Sequence, residues 1–169
     1  MILKEILERY SVRKYKKNDV SDDLIKEVIE AARLAPSANN KQPWKFIVVK
    51  DPEKRRKIGE PTTWAKFIKD APVLIVGCVT EKSFKMGGWY DSSILDIGIA
   101  MEHIALQATH LGLGTCWIGD FDEKLVKELL EIPDDIRVAA LMTLGYPLEN
   151  RIPEKKRKQL SEILSFEKF

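Results

Sequence analysis

Two arginines and a hydroxyl alternate near the start of the chain, in the segment Arg9-Tyr10-Ser11-Val12-Arg13. Alternate side chains of an extended backbone project from the same side, so Arg9, Ser11 and Arg13 would face one way. Guanidinium groups form charge-assisted, bidentate hydrogen bonds with phosphate oxygens. The spacing therefore fits a phosphate site, although taken alone it fits an exposed helix end with solvated cations better.

Two further polar stretches could contribute to such a site. The loop from Pro36 to Trp44 is rich in amide and hydroxyl groups, which can satisfy the donors and acceptors of a polyol or a heterocycle edge. The basic run Lys155-Lys156-Arg157-Lys158 is a second source of charge for a phosphate. A plain connecting loop and a solvated helix start are the alternatives for these two stretches.

Metal catalysis and a Rossmann site are both disfavoured. His103 and His110 lie seven residues apart on a predicted helix, about 10 Å along its axis at 1.5 Å per residue, so they cannot share one ion without other ligands. The glycines at 112, 114 and 119 follow a helix and lead into a strand, which is the reverse of the dinucleotide fingerprint. We assign no metal ligand and no catalytic side chain.

Composition narrows the class of protein. The 169 residues are 44% hydrophobic and 32% charged, which predicts one globular domain over residues 1–169. A net charge of +2 is too small to imply nucleic-acid binding. We expect no membrane span and no export signal, and hence a cytoplasmic protein. Cys78 and Cys116 sit in apolar runs and are expected to be core residues in a reducing compartment.

Apolar periodicity and turn residues predict five helices and four strands. The helices are expected over residues 2–9, 22–35, 91–111 and 123–130 and from about residue 154, and the strands over 46–49, 73–79, 115–118 and 138–144. Their irregular alternation favours an α+β fold over a regular βαβ array. The helix over 91–111 is apolar on most sides, as a central helix or a subunit interface would be.

Taken together, these segments resemble the nitroreductase family of FMN enzymes along the whole chain. The family motifs match in order as R-x-S-x-R-x-Y at 9–15, P-S-x-x-N-x-Q-P-W at 36–44, G-L-G-T-C-W-I-G at 112–119, G-Y-P at 145–147 and K-x-R at 155–157. The resemblance implies a flavin-reductase-like α+β fold, with a mixed, mostly antiparallel sheet flanked by helices. It also implies an intertwined homodimer that holds FMN at each subunit interface.

The activity implied by the resemblance is hydride transfer from NADH or NADPH, through flavin N5, to a small electrophile such as a nitroaromatic, a quinone or a flavin. One shared open face over the ring implies ping-pong turnover. A non-catalytic FMN carrier or redox sensor on the same fold is the alternative, because hydride transfer needs no side chain that the sequence could reveal. No nucleic acid and no membrane is expected as a partner.

The resemblance also assigns cofactor-binding residues from both ends of the chain. Four residues are expected at the phosphate and the adjoining ribityl chain: Arg9, Ser11, Lys155 and Arg157. Arg13 is expected near the N1/O2 edge of the ring, where a fixed cation would stabilise the negative charge of the reduced flavin.

The remaining assignments fall on the polar loop and on one strand. The loop residues Pro36, Ser37, Ala38, Asn40 and Gln42 are expected to reach the flavin from the partner chain. Ala38 stands where relatives often have serine, so one hydrogen bond would be missing there. The backbone of Trp117, Ile118 and Gly119 is expected to run beside the ring, with an amide near N5.

Two aromatic regions are candidates for the acceptor pocket. The first is residues 62–70, with Trp64 and Phe67, and the second is residues 84–90. Packing against the core is an equally good interpretation of these aromatics from sequence.

Overall fold

The computed structural model describes residues 1–149 and 152–169. Its main sheet has four strands in the order β1-β2-β6-β5, and every neighbouring pair is antiparallel. The strands are β1 (Trp44–Val49), β2 (Val73–Val79), β5 (Gly114–Ile118) and β6 (Arg137–Gly145). A short hairpin pairs β3 (Lys85–Met86) with β4 (Tyr90–Asp91). The one parallel element beside the sheet is an isolated bridge between Ser11 and Thr115.

Five α-helices of the described residues surround the sheet. They are α1 (Lys4–Glu8), α2 (Asp22–Arg33), α3 (Pro52–Gly59), α4 (Ser92–His110) and α5 (Glu123–Leu130). The side chains of Ser21, Asp91 and Asp122 cap α2, α4 and α5 by accepting hydrogen bonds from first-turn backbone amides. None of the described helices is both long and apolar enough to cross a bilayer.

The helices cover both faces of the sheet because β2 and β6 are apolar on both faces. Alternate strand residues such as Ile75 and Met142 pack with α2 and α4, whereas Leu74 and Leu141 pack with α3 and α5. All seven residues of β2 are buried. At Gly77 a Cβ atom would lie 2.7 Å from Met101 Sδ, so the small residue lets α4 approach the strand closely.

Most of the predicted elements are confirmed, with boundaries that shift by one or two residues. The four strands and the helices at α1, α2, α4 and α5 all form, and the fold class is α+β. Gly112 ends the long helix with φ of 72°, a left-handed conformation that glycine adopts without steric cost. The sequence did not reveal α3 or the β3–β4 hairpin.

The helix predicted from about Glu154 is wrong. Residues 152–159 have no regular secondary structure, and the tail forms only a single 3-10 turn at Leu160–Glu162. That turn begins at Gln159, which shares a capping box with Glu162. The four consecutive cations before it repel one another, and the Lys155 ammonium donates to backbone carbonyls of α1 instead of lying along a helix.

Candidate cofactor-binding site

The segment that carries Arg9, Ser11 and Arg13 is extended and lies against the edge of the sheet. α1 ends at Glu8, and the Val12 amide donates to the Thr115 carbonyl at 2.9 Å. Val12 is buried, whereas Arg13 is exposed. Arg9 is the C-cap of α1, and its amide donates to the Glu5 carbonyl at 2.8 Å, so the interpretation as a helix end fits Arg9 but not Ser11 and Arg13.

Cations from the two ends of the chain meet beside this segment. Lys155 Nζ donates to the carbonyls of Ile6 and Leu7 at 2.7 and 2.6 Å, at the C-terminal end of α1. Desolvation, together with the nearby charges of Arg9 and Arg157, lowers the pKa of Lys155. Three positive groups therefore share one small region, an arrangement that a bound dianion would stabilise.

One carboxylate connects this cluster to strand β5. Glu102, on α4, lies 3.7 Å from Arg9 Nε through Oε1 and accepts a hydrogen bond from Trp117 Nε1 at 3.3 Å through Oε2. Sequence reasoning missed Glu102, because a single carboxylate on a long helix reads as a solvent-facing residue. Its contacts show that Arg9 and Trp117 belong to the same region.

Arg13 also lies in this region, because its charge acts on the thiol of Cys116 in β5. Burial raises the pKa of Cys116, while Arg13, a hydrogen bond with Ser11 and the charge of Arg9 act in the opposite direction. Ser11 also forms an isolated bridge with Thr115, so the residue 9–13 segment lies beside β5. Both cysteines are free and buried, as expected for core residues.

A cleft of about 460 Å³ opens beside these residues. It is lined by Tyr10, Ser11, Arg13, Pro153 and Glu154 among others. Residues from both ends of the chain therefore line one cleft, where they can contact the same ligand.

Strand β5 ends in an accessible stretch of backbone. Ile118 is buried, but Gly119 is exposed, and a Cβ built there would meet no atom of the protein within 4 Å. The next residue, Asp120, accepts hydrogen bonds from the amides of Thr63 and Trp64 at 2.7 and 2.9 Å. A flat ligand can therefore approach the backbone at Gly119 without displacing a side chain.

The polar loop at residues 37–42 is conformationally strained and internally bonded. Asn39, Asn40 and Gln42 have φ values of 52°, 54° and 53°, in the left-handed region, which asparagine tolerates but which is costly for Gln42. Ser37 Oγ accepts from the Gln42 amide at 2.9 Å, and Gln42 Nε2 donates to Asn40 Oδ1 at 3.2 Å. Strain of this kind concentrates at ligand sites, where the surrounding structure maintains it.

Within one protomer this loop and the cation cluster lie on different parts of α4. The loop contacts Asp96, whose Oδ1 accepts from the Ala38 amide at 3.0 Å, whereas the cluster contacts Glu102. Six residues separate these carboxylates, about 9 Å along the helix axis and about 240° around it. The structure thus brings together the expected residues of segments 9–13, 117–119 and 155–157, and leaves the expected residues of the loop apart from them.

Three aromatic side chains of the two candidate acceptor regions are exposed in the protomer. Trp64 is 83% exposed, Trp89 is 80% exposed and Phe84 is 54% exposed. These three are not part of the core of the protomer, although the Trp89 ring centroid lies 4.7 Å from that of Tyr90, and their role in an acceptor pocket stays a prediction. Phe67 does pack, since it is half-buried against two of the core clusters.

Comparison with known proteins gives a consistent family. The model of the nitroreductase family matches residues 6–65 and 59–146. A protein of Archaeoglobus fulgidus that carries the provisional name NADH dehydrogenase/NAD(P)H nitroreductase is 40% identical over 153 residues, covering 88% of this chain and 87% of its own.

Solved structures agree in both sequence and shape. A nitroreductase family protein from Clostridium novyi is 36% identical, with a TM-score of 0.81, and the match covers 89% of this chain and 87% of that one. An FMN-dependent nitroreductase from Clostridium difficile is 33% identical with a TM-score of 0.79, covering 98% of both chains. This chain belongs to the nitroreductase family.

Proposed function

We propose that this protein is an FMN-dependent oxidoreductase that takes hydride from NADH or NADPH and delivers it to a small electrophile, such as a nitroaromatic, a quinone or a flavin, by a ping-pong mechanism. The names of its relatives support the donor and the cofactor, since one is named for NAD(P)H and another for FMN. The observation that carries the proposal is the convergence of Arg9, Lys155 and Arg157, for which the described residues provide one ion pair, the 3.7 Å contact of Arg9 with Glu102.

The residues present fit the phosphate of FMN. Arg9 offers a guanidinium group whose one ion pair among the described residues is a long contact of 3.7 Å with Glu102. Lys155 is already held by two carbonyls, so its ammonium is fixed in place before a ligand arrives. A phosphate bound between Arg9, Lys155 and Arg157, with Ser11 as a hydroxyl donor, would restore the charge balance of the cluster.

The ring would lie further along β5. When bound, FMN supplies the hydride-accepting and hydride-donating centre of the reaction. Arg13 would stabilise negative charge at the N1/O2 edge of a bound ring, and the backbone of residues 117–119, which is open at Gly119, would run beside the ring. This chemistry needs no side chain as nucleophile or metal ligand. The nucleotide and the acceptor would bind in turn over one accessible face of the flavin ring, which gives ping-pong turnover.

We infer that the functional unit is a homodimer with two such sites. Apolar side chains are exposed on the N-terminal segment, on α4 and on the tail, which is unusual for a surface that faces only water. They are Ile2, Leu3, Ile6, Leu7, Ile94, Leu95, Leu160, Ile163, Leu164, Phe166 and Phe169. In such a dimer the residue 37–42 loop of each protomer would complete the site of the other, with Ser37, Asn40 and Gln42 presenting a polar edge that their own hydrogen bonds have already arranged.

Anaerobic rapid mixing tests the proposal. We expect the purified protein to bind FMN, to lose flavin absorbance on mixing with NADH or NADPH, and to recover it when a quinone or nitroaromatic is added. If neither nucleotide reduces the bound flavin, the protein is a non-catalytic FMN carrier or sensor. If the protein takes up no FMN at all, the cofactor assignment itself is wrong.

A further inference from the structure

Asp96 is a buried carboxylate on α4 that the proposed chemistry does not use. It is 3% exposed, and both of its oxygens accept hydrogen bonds. Oδ1 accepts from the Ala38 amide at 3.0 Å, and Oδ2 accepts from Ser92 Oγ at 3.3 Å. A buried carboxylate is costly unless such bonds are made, so its placement here needs a reason beyond filling space.

The first bond ties the strained loop to the body of the protein. The remaining hydrogen bonds described for residues 37–42 are local, made within the loop or to Trp44 at its end. The contact between Asp96 and Ala38 instead joins residues 58 positions apart in sequence. It fixes the backbone immediately before Asn39, the first of the three left-handed residues.

The second bond reaches the hairpin that carries the exposed aromatics. Ser92 is fully buried, and its Oγ accepts from the Phe84 amide at 3.3 Å while its own amide donates to the Phe84 carbonyl at 2.8 Å. Asp96, by binding Ser92 Oγ, therefore connects the loop to the segment that leads into β3. One carboxylate thus bonds directly to the loop and, through Ser92, to the segment before the hairpin.

We propose that Asp96 is a positioning residue, whose carboxylate holds the residue 37–42 loop in its flavin-receiving shape and, through Ser92, couples that loop to the β3–β4 hairpin. The role at the flavin rests on the proposed function, because it presumes that the loop contacts FMN. The ordering of the loop does not, and it can be measured in protein without flavin.

The test compares Asp96→Ala with Asp96→Asn in the full-length protein. The asparagine keeps an oxygen that can accept from Ala38, whereas the alanine removes it. Asp51→Ala is the matched control, because it also deletes a carboxylate that accepts from a backbone amide, Lys54 N at 2.8 Å, but at the start of α3. Three quantities are measured: hydrogen exchange of residues 37–42 without flavin, the FMN dissociation constant, and the melting temperature.

We expect Asp96→Ala to accelerate exchange in the loop and to raise the FMN dissociation constant, each by about tenfold, as loss of one charge-assisted hydrogen bond implies. Asp96→Asn should stay within about threefold of wild type in both, since the acceptor is preserved. Asp51→Ala should lower the melting temperature without changing either loop exchange or FMN affinity. If Asp96→Ala does not fold, Ser92→Ala replaces it, with faster exchange expected at residues 83–86.

The inference is overturned if Asp96→Ala leaves loop exchange and FMN affinity as in wild type, or if Asp96→Asn is as defective as Asp96→Ala. The same conclusion follows if Ser92→Ala, used in place of Asp96→Ala, leaves hydrogen exchange at residues 83–86 unchanged. If wild-type protein binds no FMN, the proposed function is wrong and the flavin-receiving role falls with it. Exchange in flavin-free protein then still decides whether Asp96 orders the loop.

Discussion

The cation cluster and the residue 37–42 loop are both polar surfaces, but the chain builds them in different ways. The cluster gathers like charges from segments with little regular structure, and its cost is electrostatic. The loop satisfies many of its own hydrogen bonds, but three of its residues have left-handed backbone conformations, and at Gln42 that conformation is costly. A phosphate would relieve the first cost directly, whereas the second is offset only by contacts such as that with Asp96. The comparison indicates a site assembled from one charged half, the cation cluster, and one neutral half, the residue 37–42 loop.

The largest effect is expected from substitutions in the apolar tail, which would form part of the dimer interface. Ile163→Asp combined with Phe166→Asp places two charges on side chains that are 69% and 83% exposed in one protomer. If this surface is the dimer interface, the two charges would be buried there without partners, and the dimer would dissociate. FMN occupancy would then fall below about a tenth of that of wild type. Light scattering and the flavin-to-protein absorbance ratio measure both outcomes.

Lys168→Asp serves as the control for this double variant, because it changes charge in the same tail without placing it on an apolar side chain. A double variant that remains dimeric would contradict the interface assignment, and a monomeric double variant with full FMN occupancy would place both halves of the site in one protomer.

The second-largest effect is expected from substitution of Arg9, which tests the cation cluster alone. Arg9→Ala removes one guanidinium from the cluster and should raise the FMN dissociation constant by about 10- to 100-fold, the range for a hydrogen bond to a charged group. Arg56→Ala is the control, because Arg56 is an arginine that binds Glu53 and Glu60 on the surface of α3. Equal FMN affinity in Arg9→Ala and Arg56→Ala would remove Arg9 from the phosphate site.

Substitution of Arg13 tests two properties, FMN binding and the rate of flavin reduction. Arg13→Ala should weaken FMN retention and slow flavin reduction by NAD(P)H, each by about tenfold, because a cation near N1/O2 favours the reduced form. Stopped-flow reduction under anaerobic conditions measures the rate. Wild-type flavin occupancy together with an unchanged reductive half-reaction would show that Arg13 has no such role.

The smallest effect is a pH dependence at Lys155. Its lowered pKa means that the free protein loses this charge below the ordinary value of 10.5, whereas a bound phosphate favours the charged form. FMN affinity should therefore fall as the pH rises through the lowered pKa, by less than about tenfold. Folding of the flavin-free protein should show the opposite sign over the same window, because the unfolded chain binds the proton more tightly.

Titration of FMN at several pH values, in wild type and in Lys155→Arg, measures this dependence. The guanidinium stays protonated throughout, so the variant should show a flatter profile. A wild-type profile as flat as that of Lys155→Arg would exclude Lys155 from the phosphate contacts.

The two halves also differ in how far sequence predicts them. The cations are recognisable because charge and spacing survive in the linear sequence, and the buried strands and capped helices follow from apolar runs and from residues such as Ser21. The helix predicted from Glu154 did not form, because the Lys155 side chain found carbonyls of α1 as its partners. Asp96 and Glu102 could not be identified either, since a carboxylate on a helix reveals its partners only after packing.

Subunit complementation tests the central claim most directly, namely that cations of one protomer and the residue 37–42 loop of the other hold one FMN. Arg9→Ala protomers are mixed with protomers that carry Asn40→Ala and Gln42→Ala, and the differently tagged heterodimer is isolated. If each parent binds FMN poorly, the account predicts that the heterodimer regains one high-affinity FMN, because one of its two interfaces combines intact cations with an intact loop. A heterodimer as defective as its parents would contradict the account, since it would mean that both halves of each site come from the same chain.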